Sequence, residues 1–452
     1  MAETLLSLGL DVGTTSTQMV VSKLQIQNRA SGFSVPELTI TDRQVIYRSP
    51  VHFTPLKTES LIDGQALAQL LDREYEQAGV TRRDIQTGAV IITGETSRKE
   101  NADSVLQHLS HLAGDFVVAT AGPDLESRLA ALGSGAVEFS RKTGKTVLHM
   151  DIGGGTSNLA LICKGEIMDT GCLNVGGRLI RFDPAGFIQY VSPVLAGLTD
   201  RKPGDRLSQE EAWVLAQKLA QILEMGAGLR EPDGWLTKMV TREGRLLDPS
   251  GLEGKPVISV SGGVADCIEE EKDWMQFGDL GPLLGQAIRE SRLSQGEFRL
   301  GEETIRATVI GAGCHSTQLS GSTVFYRNVK FPLRDLPAVP VSGQVQEIRK
   351  AVSRQDGPCV LALKDPVTDY RSVQALADRL AEALETDPCY LCLGQDAAKA
   401  LGQALALRMP EDTEILCLDR VSLGENSYLD VGEPLGPAIP VVVKTLVLGN
   451  GG

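Results

Sequence analysis

The sequence predicts an α/β protein, with sheets flanked by helices and a second, smaller α/β unit toward the C-terminal end. Three observations lead there. Short apolar runs of strand character alternate with longer stretches that carry apolar residues at helical spacing. A strand that ends in aspartate and glycine occurs twice, at Asp11 and again at Asp151. A proline-spotted stretch, Phe331–Pro340, is followed by a fresh alternation of strands and helices.

The elements follow in order. Leu5–Val12 reads as a strand running into Asp-Val-Gly, and Gln18–Leu24 as its hairpin partner after a Thr-Thr-Ser-Thr turn. Gln25–Arg43 is more polar and reads as an excursion between strands, after which Val45–Phe53 resumes alternation. Leu61–Ala78 has helical spacing, Ala89–Thr93 is a strand, Ala102–Ala113 a helix, Phe116–Ala121 a strand and Leu125–Arg141 a helix. Thr146–Asp151 is again a strand ending at aspartate and glycines, with Asn158–Cys163 and Gly165–Asp169 as antiparallel partners. Glu210–Gly226 reads as a helix, and Pro256–Val260 and Thr308–Ile310 as strands running into glycines. Phe331–Pro340 reads as a linker. Beyond it, strands Cys359–Leu363, Tyr390–Leu393, Ile415–Leu418 and Val441–Leu448 alternate with helices near Val373–Leu384 and Ala397–Leu407.

Composition narrows the function. The chain has 452 residues, enough for two or three domains, with 42% hydrophobic and 23% charged residues, the balance of a folded protein. A formal net charge of -14, no long basic run and only 4% aromatics argue against a nucleic-acid partner. No window approaches the ~18 apolar residues of a membrane span, and Met1–Leu10 lacks a basic start followed by a long apolar stretch. The expectation is a soluble, cytoplasmic protein. The eight cysteines sit mostly in apolar, strand-like runs and read as reduced core residues. Cys389 and Cys392 have redox spacing, but three positions apart on a strand they face opposite sides.

The two aspartate turns carry the chemistry. In the first, Asp11 is followed by Gly13, Thr14, Thr15, Ser16 and Thr17. Gly13 permits a tight turn, and the backbone N–H groups and hydroxyls beyond it can bind phosphate oxygens. A carboxylate would repel bare phosphate, so Asp11 implies an intervening Mg2+ held through water. The second turn repeats the design with Asp151, Gly153, Gly154, Gly155 and Thr156. Consecutive glycines let backbone approach a ligand at some cost in strand stability. A third turn, Ser261-Gly262-Gly263, ends an apolar strand and suits packing against a base or ribose.

In this order the three turns resemble the phosphate-1, phosphate-2 and adenosine motifs of the actin, heat-shock-protein and sugar-kinase superfamily of ATPases. Ala307–Gly313 resembles that superfamily's second connecting helix-turn. The resemblance covers roughly Leu5–Ser320 and implies a two-lobed, actin-like (ribonuclease H-like) core with ATP or ADP in the cleft. It places a first lobe at residues 1–145, a second lobe with the adenosine motif at 146–325 and the C-terminal α/β unit at 326–452.

Within the superfamily the chain resembles the reactivating factors of ethanolamine ammonia-lyase. That resemblance rests on Leu10–Thr17, on Thr93–Ala102, and on Tyr428–Leu435 with Val443–Val447. Such factors are chaperones, tied to ethanolamine utilisation and its bacterial microcompartment, that use ATP to release damaged cobalamin from the inactivated enzyme. The resemblance implies that Asp11 and Asp151 organise Mg2+ and the attacking water. It further implies that Gly13, Thr14, Thr15, Ser16, Gly153, Gly154, Gly155 and Thr156 hold phosphate, with Ser261, Gly262 and Gly263 on the nucleoside. Glu95, just past a strand end, is the candidate to polarise water; a surface charge paired with Lys99 is its plain alternative. The implied partner is ethanolamine ammonia-lyase, and the C-terminal unit is open to the lyase, a second copy of this chain in a homodimer, or a structural role.

Two motifs are decoys. Lys142-Thr-Gly-Lys-Thr146 imitates the end of a Walker A loop, but Phe139 occupies the first glycine's place and the order is helix then strand, the reverse of that loop. His108 and His111, three apart on an expected helix, lack further ligands and read as solvated. A small-molecule kinase and a nucleotide-holding scaffold remain alternatives; ATP turnover without an added acceptor separates the chaperone from the kinase.

Overall fold

The structure, a computed structural model, describes residues 3–13, 16–28, 38–58, 61–92, 109, 118–120, 123–241, 246–247, 255–315, 317–320, 323–355, 357–363, 369–385, 387–421, 423, 427–434 and 439–445. The expected helix Ala102–Ala113, with His108 and His111, falls outside them apart from Leu109.

The first sheet contains β1 (Glu3–Val12), β2 (Ser16–Asn28), β3 (Leu38–Arg48), β4 (Thr87–Ile92) and β5 (Val118–Thr120), with helix α1 (Gly64–Ala78) between β3 and β4. Its order is β3-β2-β1-β4-β5, with β1, β2 and β3 antiparallel and β4 and β5 parallel to β1. The side chain of Asp63 accepts from the N–H groups of Gln65 and Ala66 to start α1, and Gly79 in the left-handed region ends it. Leu67, Leu71 and Tyr75 pack that helix onto Leu8, Leu10 and Val21 of the sheet.

The second sheet contains β6 (Val147–Ile152), β7 (Ser157–Cys163), β8 (Glu166–Leu173), β9 (Val257–Ser261) and β10 (Phe298–Leu300). Its order, β8-β7-β6-β9-β10, and its strand directions repeat the first sheet's. The repeated topology gives the fold its class: an α/β, two-lobed, actin-like core. Helices α2 (Pro123–Gly133) and α3 (Ala136–Thr143) precede β6, α4 (Gln209–Gly226) follows β8, α5 (Gly281–Glu290) follows β9, and α6 (Ala307–His315) follows β10. Ser208 and Glu211 form a capping box at the start of α4, which packs with α5 over one face of the second sheet in the largest core cluster.

The connecting helices cross between lobes. Ala131, Ala136 and Val137 of α2 and α3 pack on the second sheet beside Val147, Ala160 and Ile162. Val309, Ile310 and Ala312 of α6 return to the first sheet beside Val20, Ala89 and Ile91. Helices α2 and α6 meet backbone to backbone: a Cβ at Gly133 would stand 1.9 Å from the Ala307 carbonyl oxygen, and one at Gly311 would stand 2.0 Å from that of Leu129.

The third unit contains β11 (Thr317–Leu319), β12 (Phe325–Arg327), β13 (Leu333–Val341), helix α7 (Val345–Val352), β14 (Val360–Leu363), α8 (Tyr370–Leu384), β15 (Cys389–Leu393), α9 (Ala398–Ala406), β16 (Ile415–Asp419), β17 (Ser427–Val431) and β18 (Pro440–Thr445). The order is β11-β18-β17-β13-β14-β15-β16-β12. Ile348, Leu376, Leu380 and Leu401 cover one face with the three helices. The other face closes on β17 and β18 through Leu429, Val431 and Val441. Cys389 lies in the helix-covered core and Cys392 in the opposite one, so the pair does not share a face.

Several expectations need correction. The polar excursion Gln25–Arg43 is in part strand, because β2 and β3 form a long hairpin whose outer strand is half solvated and therefore carries polar residues. Leu125–Arg141 is two helices, broken where Gly135 takes φ 78°. Thr308–Ile310 is helix, not strand: its small residues meet α2 at contact distance, and tertiary packing overrides the β-branched pattern. Phe331–Pro340 is largely β13, not a linker. Residues Leu333–Pro337 pair with β17 and residues Ala338–Val341 pair with β14, so each half is locally an edge and tolerates a missing proline N–H. The Walker-like run caps α3 at Gly144 and leads into β6, helix before strand as its rejection requires. No helix among the described residues is long and apolar enough to cross a membrane.

Candidate functional site

The first turn sits at the end of β1. Asp11 pairs across the hairpin with Gln18 and lies beside Ile91 of β4. The N–H of Gly13 donates to the Ser16 carbonyl at 2.8 Å. Thr54 reaches in from a distant segment, and its hydroxyl donates to the Gly13 carbonyl at 2.7 Å while standing 3.1 Å from the Thr17 hydroxyl. Ser16 is half-buried at the start of β2. Thr14, Thr15 and Glu95 lie outside the described residues.

The second turn sits at the equivalent end of β6. Asp151 lies opposite Asn158 of β7 and beside Ser261 of β9. The Ser261 hydroxyl donates to Oδ1 of Asp151, and the Thr308 hydroxyl donates to Oδ2 at 3.2 Å. Burial raises the Asp151 pKa, and these two hydroxyls oppose the rise. Behind Ser261, the imidazole of His149 bridges two serines, with Nε2 3.0 Å from Oγ of Ser261 and Nδ1 3.2 Å from Oγ of Ser259. Burial first, then the charge of Arg299, lowers the His149 pKa to about 3, so the ring is neutral.

The glycine run after Asp151 is braced from behind. The N–H of Gly153 donates to the Thr156 carbonyl at 2.9 Å, and those of Gly177 and Arg178 donate to the carbonyls of Gly153 and Gly154 at 3.0 and 2.6 Å. On its other side the run is open. A Cβ at Gly155 would meet nothing within 4 Å, and one at Gly154 only the Arg178 side chain at 3.4 Å. Arg178 pairs with the buried Asp279 at 2.9 Å. In the third turn Gly262 takes φ 87° and comes so near β6 that a Cβ would stand 2.3 Å from the Ile152 carbonyl oxygen, whereas one at Gly263 would meet only Cδ1 of Ile305, at 3.9 Å. Ser261 is buried and turned toward Asp151.

A third carboxylate joins the two. Glu126, in the first turn of α2, receives a hydrogen bond from Asn158, and burial, then the charges of Asp11 and Asp151, push its pKa up to about 8. Glu126 of the connecting helix therefore feels the charges of both repeated strands' aspartates.

The model of the family described as ethanolamine utilisation protein EutA matches residues 3–449. The chain belongs to that family. Two relatives, both named ethanolamine ammonia-lyase reactivase EutA, come from Escherichia coli strain K12 and Salmonella typhimurium strain LT2. The first is 37% identical over 471 residues and the second 37% over 470, each alignment covering 98% of both chains. A crystal structure of the Aquifex aeolicus member of the Ppx/GppA family is similar at 13% identity over 68% of this chain and 97% of that one, with a TM-score of 0.41.

Sequence reading of this EutA-family chain passed over Glu126, Thr308, His149, Arg178 and Thr54. Thr308 and His149 were hidden in apolar runs, and nothing local marks either as facing Asp151. Glu126 carried one usable signal: it lies in the opening turn of a helix just after an expected strand, as a residue delivered to a sheet's edge would.

Proposed function

We propose that this chain is an ATP-dependent reactivating factor of ethanolamine ammonia-lyase, a chaperone that drives release of damaged cobalamin so that intact adenosylcobalamin can enter. The observation that carries the reading is the strand–aspartate–glycine turn repeated at the same place in two sheets of the same topology. Membership of the family and the names of its two relatives supply the partner.

The residues suit a magnesium nucleotide. The open side of Gly154 and Gly155 is a cradle that side chains would fill; among the described residues no cluster of three acidic, histidine or cysteine side chains could hold a metal by itself, which suits a cation held largely by water and phosphate. Held through water by Asp11 and Asp151, Mg2+ would supply charge neutralisation on the phosphates. Gly154, Gly155 and Thr156 offer N–H groups, and Ser16 and Thr156 hydroxyls, to the phosphates, while Gly13 and Gly153 close the two turns with their own N–H groups; Gly263 lies toward the nucleoside. In its ionised form the Glu126 carboxylate, with its raised affinity for a proton, would take one from the attacking water. The joint of α2 and α6 lets nucleotide state bias the relative setting of the lobes, and with it affinity for the lyase, through contacts that differ between the states.

The test incubates the purified protein with cyanocobalamin-inactivated lyase, ATP, Mg2+ and fresh adenosylcobalamin and assays deamination. Recovery is expected with the wild type and not with Asp11→Ala or Asp151→Ala, each remaining folded. Recovery without ATP, or unchanged recovery with both variants, refutes the proposal. A homodimer through the third unit, a cytoplasmic location and association with a microcompartment belong to the same reading.

A further inference from the structure

His149 is absent from every role assigned above, yet it is fully buried and both ring nitrogens are engaged. Its place follows from the parallel register of β6 and β9, which sets His149 beside Ser259 and Asp151 beside Ser261. Side chains two apart on a strand share a face. The four groups therefore form one row, Ser259, His149, Ser261 and Asp151, all buried.

The protons in that row can be assigned. With Asp151 as the carboxylate that a cation site needs, both its oxygens accept hydroxyl hydrogens, Oδ1 from Ser261 and Oδ2 from Thr308. Ser261 has a single hydrogen and gives it to Asp151, so at 3.0 Å its oxygen must accept from Nε2 of His149. A neutral imidazole with its hydrogen on Nε2 has a bare Nδ1, which accepts from the Ser259 hydroxyl at 3.2 Å. If Asp151 carried a proton on Oδ1 instead, every donor in the row would reverse and the ring hydrogen would sit on Nδ1.

We propose that His149 is a positioning residue, which through Ser261 locks the orientation of the ionised Asp151 carboxylate for Mg–nucleotide binding. The inference rests on the reading of this cleft as a nucleotide site. It does not rest on the lyase. His149 touches neither phosphate turn, so its effect passes entirely through the Ser261 hydroxyl; outer partners of metal-organising groups typically change affinity or activity by about 10- to 100-fold when removed.

Two measurements test it. Nitrogen NMR of the histidine-labelled full chain reads the tautomer directly: a hydrogen on Nε2 of His149 is expected, bonded to Ser261 and released in Ser261→Ala. A hydrogen on Nδ1 overturns the proposal. Calorimetry with ADP, with and without Mg2+, reads the consequence. His149→Leu should weaken the Mg2+-dependent part of binding about tenfold or more and leave Mg2+-free ADP affinity unchanged, and Ser261→Ala should weaken the Mg2+-dependent part by at least as much. His149→Gln, whose amide nitrogen can stand where Nε2 does, should stay near the wild type. Should His149→Leu fail to fold, Ser261→Ala and His149→Gln still decide. Variants that bind Mg–ADP like the wild type, or a His149→Leu protein that loses ADP affinity equally with and without Mg2+, overturn the inference alone. A wild type that binds no Mg–nucleotide overturns the underlying reading and this inference with it.

Discussion

One added methyl group at Gly311 tests how the two lobes are joined. Gly311 lies in α6 where it crosses α2, and a Cβ there would stand 2.0 Å from the carbonyl oxygen of Leu129 and 2.5 Å from its carbon. Relaxed contacts need ~3.5 Å. The atoms met are backbone, so no rotamer change relieves the clash, and the helices must part by about 1 Å or more. Gly→Ala in a helix ordinarily gains ~1 kcal/mol; overpacking a tight core costs about 1–3 kcal/mol. With backbone on both sides the second effect should win, leaving Gly311→Ala net destabilised by ~1 kcal/mol or more. The same shift should reach the site. Thr308 lies one turn earlier on α6, and its bond to Asp151 is already 3.2 Å, near the limit of a useful hydrogen bond. Urea unfolding reads the stability and ADP–Mg2+ calorimetry reads the site. Gly155→Ala is the contrast, because a Cβ there meets nothing within 4 Å: it should fold like the wild type and lose nucleotide affinity. A Gly311→Ala protein as stable as the wild type, with unaltered affinity, would refute the account of the joint.

Glu126→Gln should retain nucleotide and lose turnover by about 10²–10⁴-fold, measured as phosphate release. Because Glu126 has its pKa raised to about 8, the nucleotide-free fold binds its proton more tightly than the unfolded chain does. Stability should therefore fall as pH rises from the ordinary carboxylate range through about 8, and urea midpoints across that window should lose this slope in Glu126→Gln. Arg178→Ala strips the partner from Asp279, a buried carboxyl whose pKa burial already raises; a loss of about 1–3 kcal/mol is expected in the same unfolding assay. Among the eight cysteines only Cys163 is better than buried, so thiol labelling of the native protein, read by mass spectrometry, should mark Cys163 first and leave Cys389 and Cys392 unmodified.

What could be read from sequence was what is local. The turns at Asp11 and Asp151 announce themselves because a strand end, a glycine and a hydroxyl are neighbours along the chain, and their recurrence foretold the repeated sheets. The opposed faces of Cys389 and Cys392 followed from the two-residue period of a strand. The errors fell where a partner far along the chain decides. Residues Ala307–Gly313 are β-branched and glycine-rich enough to suggest a strand, and only the surface of α2, more than 170 residues earlier in the chain, makes a glycine-bearing helix the better fit. Pro337 and Pro340 argue for a linker until β13 is seen to pair on one side at a time.

The site divides the same way. Sequence alone determined that this chain carries two turns of strand end, aspartate, glycine and hydroxyl, since those residues are contiguous. Only the tertiary structure decided what Asp151 meets, Thr308 from α6 and the Ser261–His149 row across two strands, and that Glu126 of the connecting helix feels the charge of both aspartates. These contacts join residues separated by 110 and 157 positions, and no periodicity or turn rule reaches that far; the parallel register of β6 on β9 and the crossing of α2 with α6 bring them together.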